Sequence, residues 1–238
     1  MKKSATISVC ELIVGDTGMI ETLKSVLQPQ GKITEIRNVM TKTQYIVWFV
    51  GLLLYSMLVF GLYGYMGIGS ENLSAYMETL KETRWEMAKF IFFIGKVVAG
   101  FLYPFLFTLF FTVLFWITFE EMSFWRIWKL QLIPFIVMLV AKSIELIFFL
   151  ILRVPEQSSP LGLGVITQLI TPQIFWVELA SNITIFVLFA AYLQYVIFHK
   201  SLHFTKRRVI IAVSASWIFY ILIEGTTDTL FRVMKVMI

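Results

Sequence analysis

The sequence predicts an all-α fold, a polytopic bundle of membrane-spanning helices, and three observations support this prediction. The chain is 58% hydrophobic and only 15% charged, whereas an ordinary soluble domain is about 25% charged. Several apolar runs, such as residues 130–152, reach the roughly 20 residues that a helix needs to cross a bilayer. Most Lys and Arg residues lie between these runs and not within them, which is the charge pattern of membrane-protein loops.

Five apolar segments define the domain organisation. A polar amino-terminal segment, residues 1–44, carries two short amphipathic stretches and precedes a transmembrane domain over residues 45–231. Because neither stretch is long or apolar enough to cross, we expect this segment at the cytoplasmic membrane surface, with partner binding as the alternative. The predicted spans are residues 45–67, 90–119, 130–152, 174–198 and 209–231.

The connections between spans carry further signals. Residues 120–129, with Trp125 and Trp128, and the basic residues 199–208 suit the membrane–water interface. The loop before the fourth span contains an apolar stretch, residues 161–170, that lies either in the interface or in the membrane as a re-entrant segment. The first span ends in glycines without GxxxG spacing, which predicts a frayed helix end in preference to close helix packing. These glycines are Gly61, Gly64, Gly67 and Gly69.

The distribution of basic residues predicts the orientation in the membrane. If the five spans alternate, segments on the amino-terminal side hold 12 Lys and Arg residues, and segments on the other side hold 6. Lys and Arg concentrate in cytoplasmic loops. We therefore expect a multi-pass protein of the cell (inner or plasma) membrane, with the amino terminus in the cytoplasm and the carboxyl terminus outside.

Ionisable residues inside the predicted spans are the candidate site residues. A charge at the centre of a membrane helix costs about 2.5–3.5 kcal/mol on insertion scales, so each one needs a compensating environment. With a rise of about 1.5 Å per residue, all of them fall at the midplane or in the outer half of the membrane. They are Lys96, Lys142, Glu145, Glu178, Glu224 and Asp228.

Three interpretations of these charges are open. In the first, they are buried ion pairs that fix helix packing, with Lys142 paired to Glu145 and Lys96 paired to a glutamate of the fourth or fifth span. In the second, they line an outward-facing polar pocket that binds or conducts a polar solute, a peptide or a proton. In the third, Lys96, Glu178 and Asp228 extend their side chains to the interface.

No motif for catalysis, cofactor binding or metal binding is present. The chain has no phosphate-binding loop, dinucleotide fingerprint, GxSxG or HExxH sequence, so we expect no cofactor. His199 and His203 have the spacing of two metal ligands on a helix, but the basic residues around them disfavour a bound cation. Ser143 beside Lys142 is the one hint of an intramembrane enzyme, and adjacent helical residues do not face each other. The single cysteine, Cys10, excludes an intrachain disulfide, and the charge placement gives no reason to expect nucleic-acid binding.

Two short stretches carry a family resemblance. The proline-centred sequence LQPQGKITEI at residues 27–36 leads into the spans, and the turn EEMSFWR at residues 120–126 is followed by Pro134. With its five spans, this layout resembles the bacterial branch of the Yip family, the Ypt-interacting-protein-like membrane proteins. The family often has a glycine in the turn where this chain has Glu120 and Glu121. The resemblance implies a non-enzymatic membrane protein; eukaryotic relatives act in vesicle trafficking with small GTPases, and some bacterial relatives look like accessory subunits of ABC-type exporters that contribute to protection against peptide toxins.

We therefore expect a non-catalytic integral membrane protein that acts as an accessory or protective partner of a transport complex, such as an ABC-type exporter. The lipid bilayer and this complex are the expected partners, and a second copy of the chain is a further candidate. The amino-terminal segment and residues 120–129 would be the contact surfaces. The alternative is a small transporter or channel-like permease whose pathway is formed by intramembrane charges. These are Lys96, Lys142, Glu145 and Glu224.

Overall fold

The computed structural model describes residues 42–68, 82–152, 159–201 and 204–237. This part of the chain is helical and contains no β-strand, so the prediction of an all-α protein is confirmed for it. The predicted amino-terminal segment lies outside the described residues except for its last three. Four helices are long and apolar enough to cross a membrane, namely Thr43–Tyr65, Glu86–Thr118, Phe124–Leu152 and Lys206–Leu230.

Eight α-helices form the described structure, and a π-helical turn follows the seventh. Three of the helices extend beyond the predicted spans: the first begins at residue 42, the second begins at residue 82, and the last runs from residue 206 to residue 237. The helices are α1 (Lys42–Tyr65), α2 (Glu82–Thr118), α3 (Phe124–Leu130), α4 (Leu132–Leu152), α5 (Gly164–Ile170), α6 (Ile174–Ser181), α7 (Ile185–Val196) and α8 (Lys206–Met237), with the π-helical turn at Ile197–Ser201.

The predicted fourth span, residues 174–198, is broken into two helices. Helix α6 ends and α7 begins within three residues, and a new cap marks the restart. The Thr184 side chain accepts a hydrogen bond from the Val187 N–H group at 3.3 Å. Threonine is a favoured residue at a helix amino terminus because its oxygen satisfies a backbone donor that has no partner in the helix.

Residues 161–170 stabilise the break between α6 and α7. Gly162 and Thr184 form an isolated antiparallel bridge, and the Leu163 N–H group donates to the Ile183 carbonyl at 3.2 Å. These bonds satisfy backbone groups that lose their helical partners, a requirement that is strict inside a membrane. Helix α5 then packs against α6.

Helices α1 and α2 lie against each other along glycine contacts. A Cβ atom at Gly64 would meet the Lys96 Cβ at 3.0 Å, and one at Gly61 would meet the Val97 side chain at 3.4 Å. The predicted frayed end is therefore wrong, because both glycines lie inside α1 and allow α2 to approach. Small residues have this function in membrane helix pairs even without GxxxG spacing.

Helix α1 ends in a defined cap. Gly67 has a φ of 68°, the left-handed conformation that glycine adopts without strain. Its N–H group donates to the Gly64 carbonyl at 3.2 Å, and the Ile68 N–H group donates to the Tyr63 carbonyl at 3.0 Å. This pair of bonds is the Schellman arrangement that closes a helix carboxyl terminus.

The core of the bundle is an aromatic stripe on α2. Phenylalanine recurs at every fourth position, so one side of the helix is covered by rings that α4, α7 and α8 bury. Lipid is as apolar as these rings, so shape fit and dispersion, and not removal from water, stabilise this packing. The stripe consists of Phe107, Phe111, Phe115 and Phe119, and it packs with Phe135, Phe198 and Trp217.

The bundle has two distinct ends. The basal end holds the start of α1, the turn between α2 and α3, helix α3 and the start of α8. There Arg208 Nη1 lies 3.3 Å from Glu121 Oε1, and Trp128 Nε1 donates to the Tyr45 hydroxyl. The apical end, opposite, holds the Gly67 cap and helices α5 and α6.

Candidate functional site

Polar side chains from α2, α4 and α8, together with one from the break after α6, meet in the apical half of the bundle. We call this set the apical polar cluster. It contains four of the six intramembrane charges that the sequence singles out, together with two tyrosines and an asparagine. Its members are Tyr103, Lys142, Glu145, Asn182, Tyr220, Glu224 and Asp228.

Lys142 and Glu145 form the ion pair that their spacing on α4 predicts. The Lys142 Nζ atom lies 3.1 Å from Glu145 Oε2, and the exposed fractions of the two side chains are 28% and 9%. The Tyr63 hydroxyl donates to the Lys142 carbonyl at 3.0 Å and so links α1 to this turn of α4. The pair is thus fixed within the bundle and is not a mobile surface contact.

Glu224 connects α8 to the same charges. The Tyr220 hydroxyl donates to Glu224 Oε1, and the Tyr103 hydroxyl of α2 lies 3.5 Å from the Tyr220 hydroxyl. Lys142, Glu145 and Asp228 lie near enough to interact electrostatically with Glu224. The pairing of Lys96 with a glutamate of the fourth or fifth span stays a prediction.

Asn182 joins the α6–α7 break to α8. Its Nδ2 atom donates to Asp228 Oδ2 at 3.3 Å and to the Glu178 carbonyl at 3.2 Å. The Glu178 side chain is buried, so it does not extend to the interface as the third interpretation proposed for it. A Cβ atom at Gly225 would meet the Leu179 Cα at 3.0 Å, which shows how closely α6 and α8 approach beside these polar groups.

Lys96 occupies the contact between α1 and α2. Its Nζ atom lies 5.5 Å from the centre of the Phe92 ring, one turn nearer the apical end of α2. A cation over an aromatic face is attracted by the negative charge density of the ring. This direction agrees with a side chain that extends toward the apical interface, the third interpretation for this residue.

A second polar feature, which the sequence analysis missed, links three helices through buried amides. Gln194 Nε2 donates to Gln131 Oε1 at 2.6 Å, and Trp217 Nε1 donates to Gln194 Oε1 at 2.7 Å. All three side chains are buried. The signal was visible, because each glutamine stands inside or beside a long apolar segment, where an amide needs a partner. We call this chain of side chains the amide relay.

The geometry does not bring Ser143 and Lys142 together as a nucleophile and base. The Ser143 hydroxyl donates to the Leu139 carbonyl at 2.9 Å and lies 2.8 Å from the Tyr55 hydroxyl, whereas the Lys142 ammonium group lies against the neighbouring glutamate. Such contacts hold helices together and leave the hydroxyl without a base to activate it.

His199 is held by the chain itself. Its Nδ1 atom lies 2.9 Å from the Phe204 carbonyl, and its ring lies 5.4 Å from the Tyr195 ring. His203, the second residue of the predicted pair, lies outside the described residues. Within the described ranges, no three His, Cys, Asp or Glu side chains form a group that could hold a metal ion.

Comparison of the chain with protein-family models, curated proteins and solved structures finds no match. The resemblance to the Yip family therefore remains an expectation from the sequence.

Proposed function

We propose that this chain is a five-span, non-catalytic membrane protein that works by association with a larger membrane transport complex. The observation that carries the proposal is the internal pairing of the intramembrane charges. Lys142 pairs with Glu145, Glu224 accepts from Tyr220, and Asp228 accepts from a side chain in the α6–α7 break.

These contacts connect helices, and they use the polar groups that a solute would otherwise bind. Breaking a buried pair costs several kcal/mol, because it leaves an uncompensated charge. A solute that binds between Lys142 and Glu145 must first meet this cost. The geometry therefore favours a structural role for the apical polar cluster. In that case the contacts with a partner are made by the outer surfaces of the bundle.

The proposed five crossings are supported by where α8 begins. Arg208 near the start of α8 contacts Glu121 in the turn after α2, and the Phe119 and Phe204 ring centres lie 4.5 Å apart. The start of α8 thus shares the basal end with the end of α2. Because α4 ends apically, a return of the chain to the basal end through the segment that contains α6 and α7 would add one crossing to those of the four long helices, and this supports the proposed total of five.

The resemblance to the Yip family supplies the kind of partner in this proposal, an ABC-type exporter. The candidate contact surfaces are the amino-terminal segment and the basal turn, residues 120–129. Glu120 of this turn is exposed. Both surfaces lie on the predicted cytoplasmic side, where the ATP-binding subunits of such an exporter are expected.

Affinity purification in a mild detergent tests the proposal. The tagged full chain, expressed at its native level, should bring down a transport complex in fixed ratio, as identified by mass spectrometry. The Glu120→Lys variant should bring down less of it. The control is Glu86→Lys, which changes an exposed charge near the opposite end of α2. A chain that purifies alone and shows activity by itself in liposomes would contradict the proposal.

One observation favours a second candidate, a small permease. Helices broken at membrane depth beside polar side chains mark the binding sites of many transporters, and the α6–α7 break lies beside the Asn182–Asp228 contact. In this case, liposomes that contain the chain should show solute or proton flux. Lys142→Met should abolish the flux and leave the protein folded. Absence of flux for the wild type would exclude this candidate.

A further inference from the structure

The basal end presents an exposed surface formed by α3 and the start of α8. Arg126, Lys206 and Arg207 are all exposed there. The contact between Arg208 and Glu121 brings the start of α8 to the turn that precedes α3. Two segments that are about 80 residues apart in the sequence therefore contribute cations to one end of the bundle.

The charges of this surface are unbalanced. The described ion pair at this end joins Arg208 to Glu121, and Arg126, Lys206 and Arg207 form no ion pair with a described acidic residue. Apart from Glu121, Glu120 is the acidic residue of the turn. Apart from the Arg208–Glu121 pair, the described residues of this surface therefore include three cations, Arg126, Lys206 and Arg207, and one carboxylate, Glu120. The excess of positive charge attracts anions.

Helix stability does not explain these cations. Lys206, Arg207 and Arg208 occupy the first turn of α8, and no acidic residue is present in that turn. Cations are unfavourable at a helix amino terminus, because the aligned peptide dipoles place a partial positive charge there. Arg208 offsets this through its contacts to Glu121 and to the Thr118 carbonyl, but its two neighbours lack such contacts in the described structure.

Aromatic rings indicate where this surface lies relative to the lipid headgroups. Trp125 is 69% exposed, and the rings of Phe124, Trp125 and Trp128 lie within 6.4 Å of one another. Tryptophan is enriched at the level of the lipid headgroups, where its ring is partly apolar and its N–H group can reach water. Arg126 follows Trp125 directly in α3, so the two residues differ in position along the helix axis by only about 1.5 Å.

We propose that this surface, Trp125, Arg126, Lys206 and Arg207, binds the headgroups of anionic phospholipids in the leaflet at the basal end. Charge complementarity and the exposed tryptophan both favour a lipid over a soluble anion. A bilayer presents phosphates at the depth at which Trp125 lies, whereas a dissolved phosphate gains nothing from the ring. The binding does not depend on the proposed transport partner.

Lipid retention by the purified full chain tests this proposal. The chain in detergent is titrated with phosphatidylglycerol, with phosphatidylcholine and with inorganic phosphate, and native mass spectrometry counts the lipids that stay bound. Near an anionic surface each Lys or Arg contributes about 1 kcal/mol, which is roughly fivefold in affinity. Arg126→Gln should therefore weaken phosphatidylglycerol binding about fivefold, and the Arg126→Gln/Lys206→Gln/Arg207→Gln combination on the order of 100-fold.

The matched control is Lys89→Gln, which removes one exposed cation near the apical start of α2. It should bind phosphatidylglycerol as the wild type does, and all variants should keep the wild-type circular dichroism spectrum. Equal binding of phosphatidylcholine, full binding by the folded triple variant, or an equal loss in Lys89→Gln would each overturn the proposal. Displacement of the lipid by inorganic phosphate at equal concentration would overturn it too, because the surface would then be a simple anion site.

Discussion

At the scale of single residues, Gly100 sets the distance between α1 and α2. A Cβ atom at this position would lie 2.9 Å from the Met57 Cα, from the Phe60 Cβ and from the Ser56 carbonyl. Two of these three atoms belong to the backbone, which cannot move away as a flexible side chain can. The first helix pair of the bundle therefore depends on the absence of a side chain at Gly100.

We expect Gly100→Ala to destabilise the protein by about 1–3 kcal/mol, the usual cost of overpacking. The matched control is Gly95→Ala in the same helix, where a new Cβ meets nothing within 4 Å. That change should stabilise α2 by about 0.5–1 kcal/mol, because alanine loses less conformational entropy than glycine. Thermal unfolding in detergent, followed by tryptophan fluorescence, compares the two. Equal melting temperatures for both variants would show that the glycine contact is not tight.

Lys142 is the residue on which the apical polar cluster depends. Lys142→Met leaves Glu145 without its paired cation. We expect a loss of about 1–3 kcal/mol in the free energy of unfolding, less than for a fully buried pair because Lys142 is partly exposed. Lys142→Met/Glu145→Gln should lose less than the sum of the single changes. Lys89→Met, which breaks the exposed pair with Glu86, should cost under about 1 kcal/mol. The same unfolding assay measures these three variants and the single variant Glu145→Gln. Strict additivity of the changes at Lys142 and Glu145 would contradict the pairing.

At the scale of elements, the amide relay connects the residue before α4 to α7 and α8. The aromatic stripe alone would not determine how far these helices are shifted along one another. Rings tolerate sliding, because their contacts are non-directional, whereas each amide bond requires one relative position of two helices. Gln194 is the central member, since it donates to Gln131 and accepts from Trp217.

We expect Gln194→Leu to destabilise the bundle by about 1–3 kcal/mol, because it leaves the Trp217 indole N–H group and the Gln131 side-chain oxygen, Oε1, without their partner. Adding Trp217→Phe removes one of these unpaired groups, so the double variant should lose less than the two single losses together. Gln173→Leu makes the same chemical change at the exposed residue before α6 and should stay within about 0.5 kcal/mol of the wild type. A Gln194→Leu variant as stable as the Gln173→Leu variant would show that the amide relay does not hold the helices together.

The sequence predicts those features of the fold that depend on neighbouring residues, and it does not predict those that depend on contacts between distant segments. Long apolar runs identify α1, α2, α4 and α8, and the three-residue spacing of Lys142 and Glu145 identifies their pair, because both are local patterns. The break near Asn182 was missed, since it depends on backbone bonds to residues 161–163, and no local pattern records them. The glycine contacts and the amide relay were missed for the same reason: their partners come from other helices.

At the scale of the whole molecule, polar groups point inward and the spanning helices present apolar side chains outward. The contacts in the interior of the bundle determine how its helices pack, and the described residues at its two ends differ in their charge balance. The basal end carries the exposed residues Trp125, Arg126, Lys206 and Arg207. At the apical start of α2 the exposed Lys89 is paired with Glu86, and helix α5 has no charged residue. This asymmetry agrees with the predicted orientation, in which the basal end faces the cytoplasm.

The number of crossings and the orientation can be tested together with single cysteines. In a Cys10→Ser background, Glu120→Cys and Thr205→Cys place a thiol at exposed basal positions, and Pro160→Cys places one at an exposed apical position. With five crossings and a cytoplasmic amino terminus, a membrane-impermeant maleimide should label position 160 in intact cells. It should label positions 120 and 205 only after permeabilisation, because the α6–α7 segment returns the chain to the basal end. Labelling of position 205 together with position 160 would show that this segment does not cross, and the reverse pattern at all three positions would keep five crossings but invert the orientation.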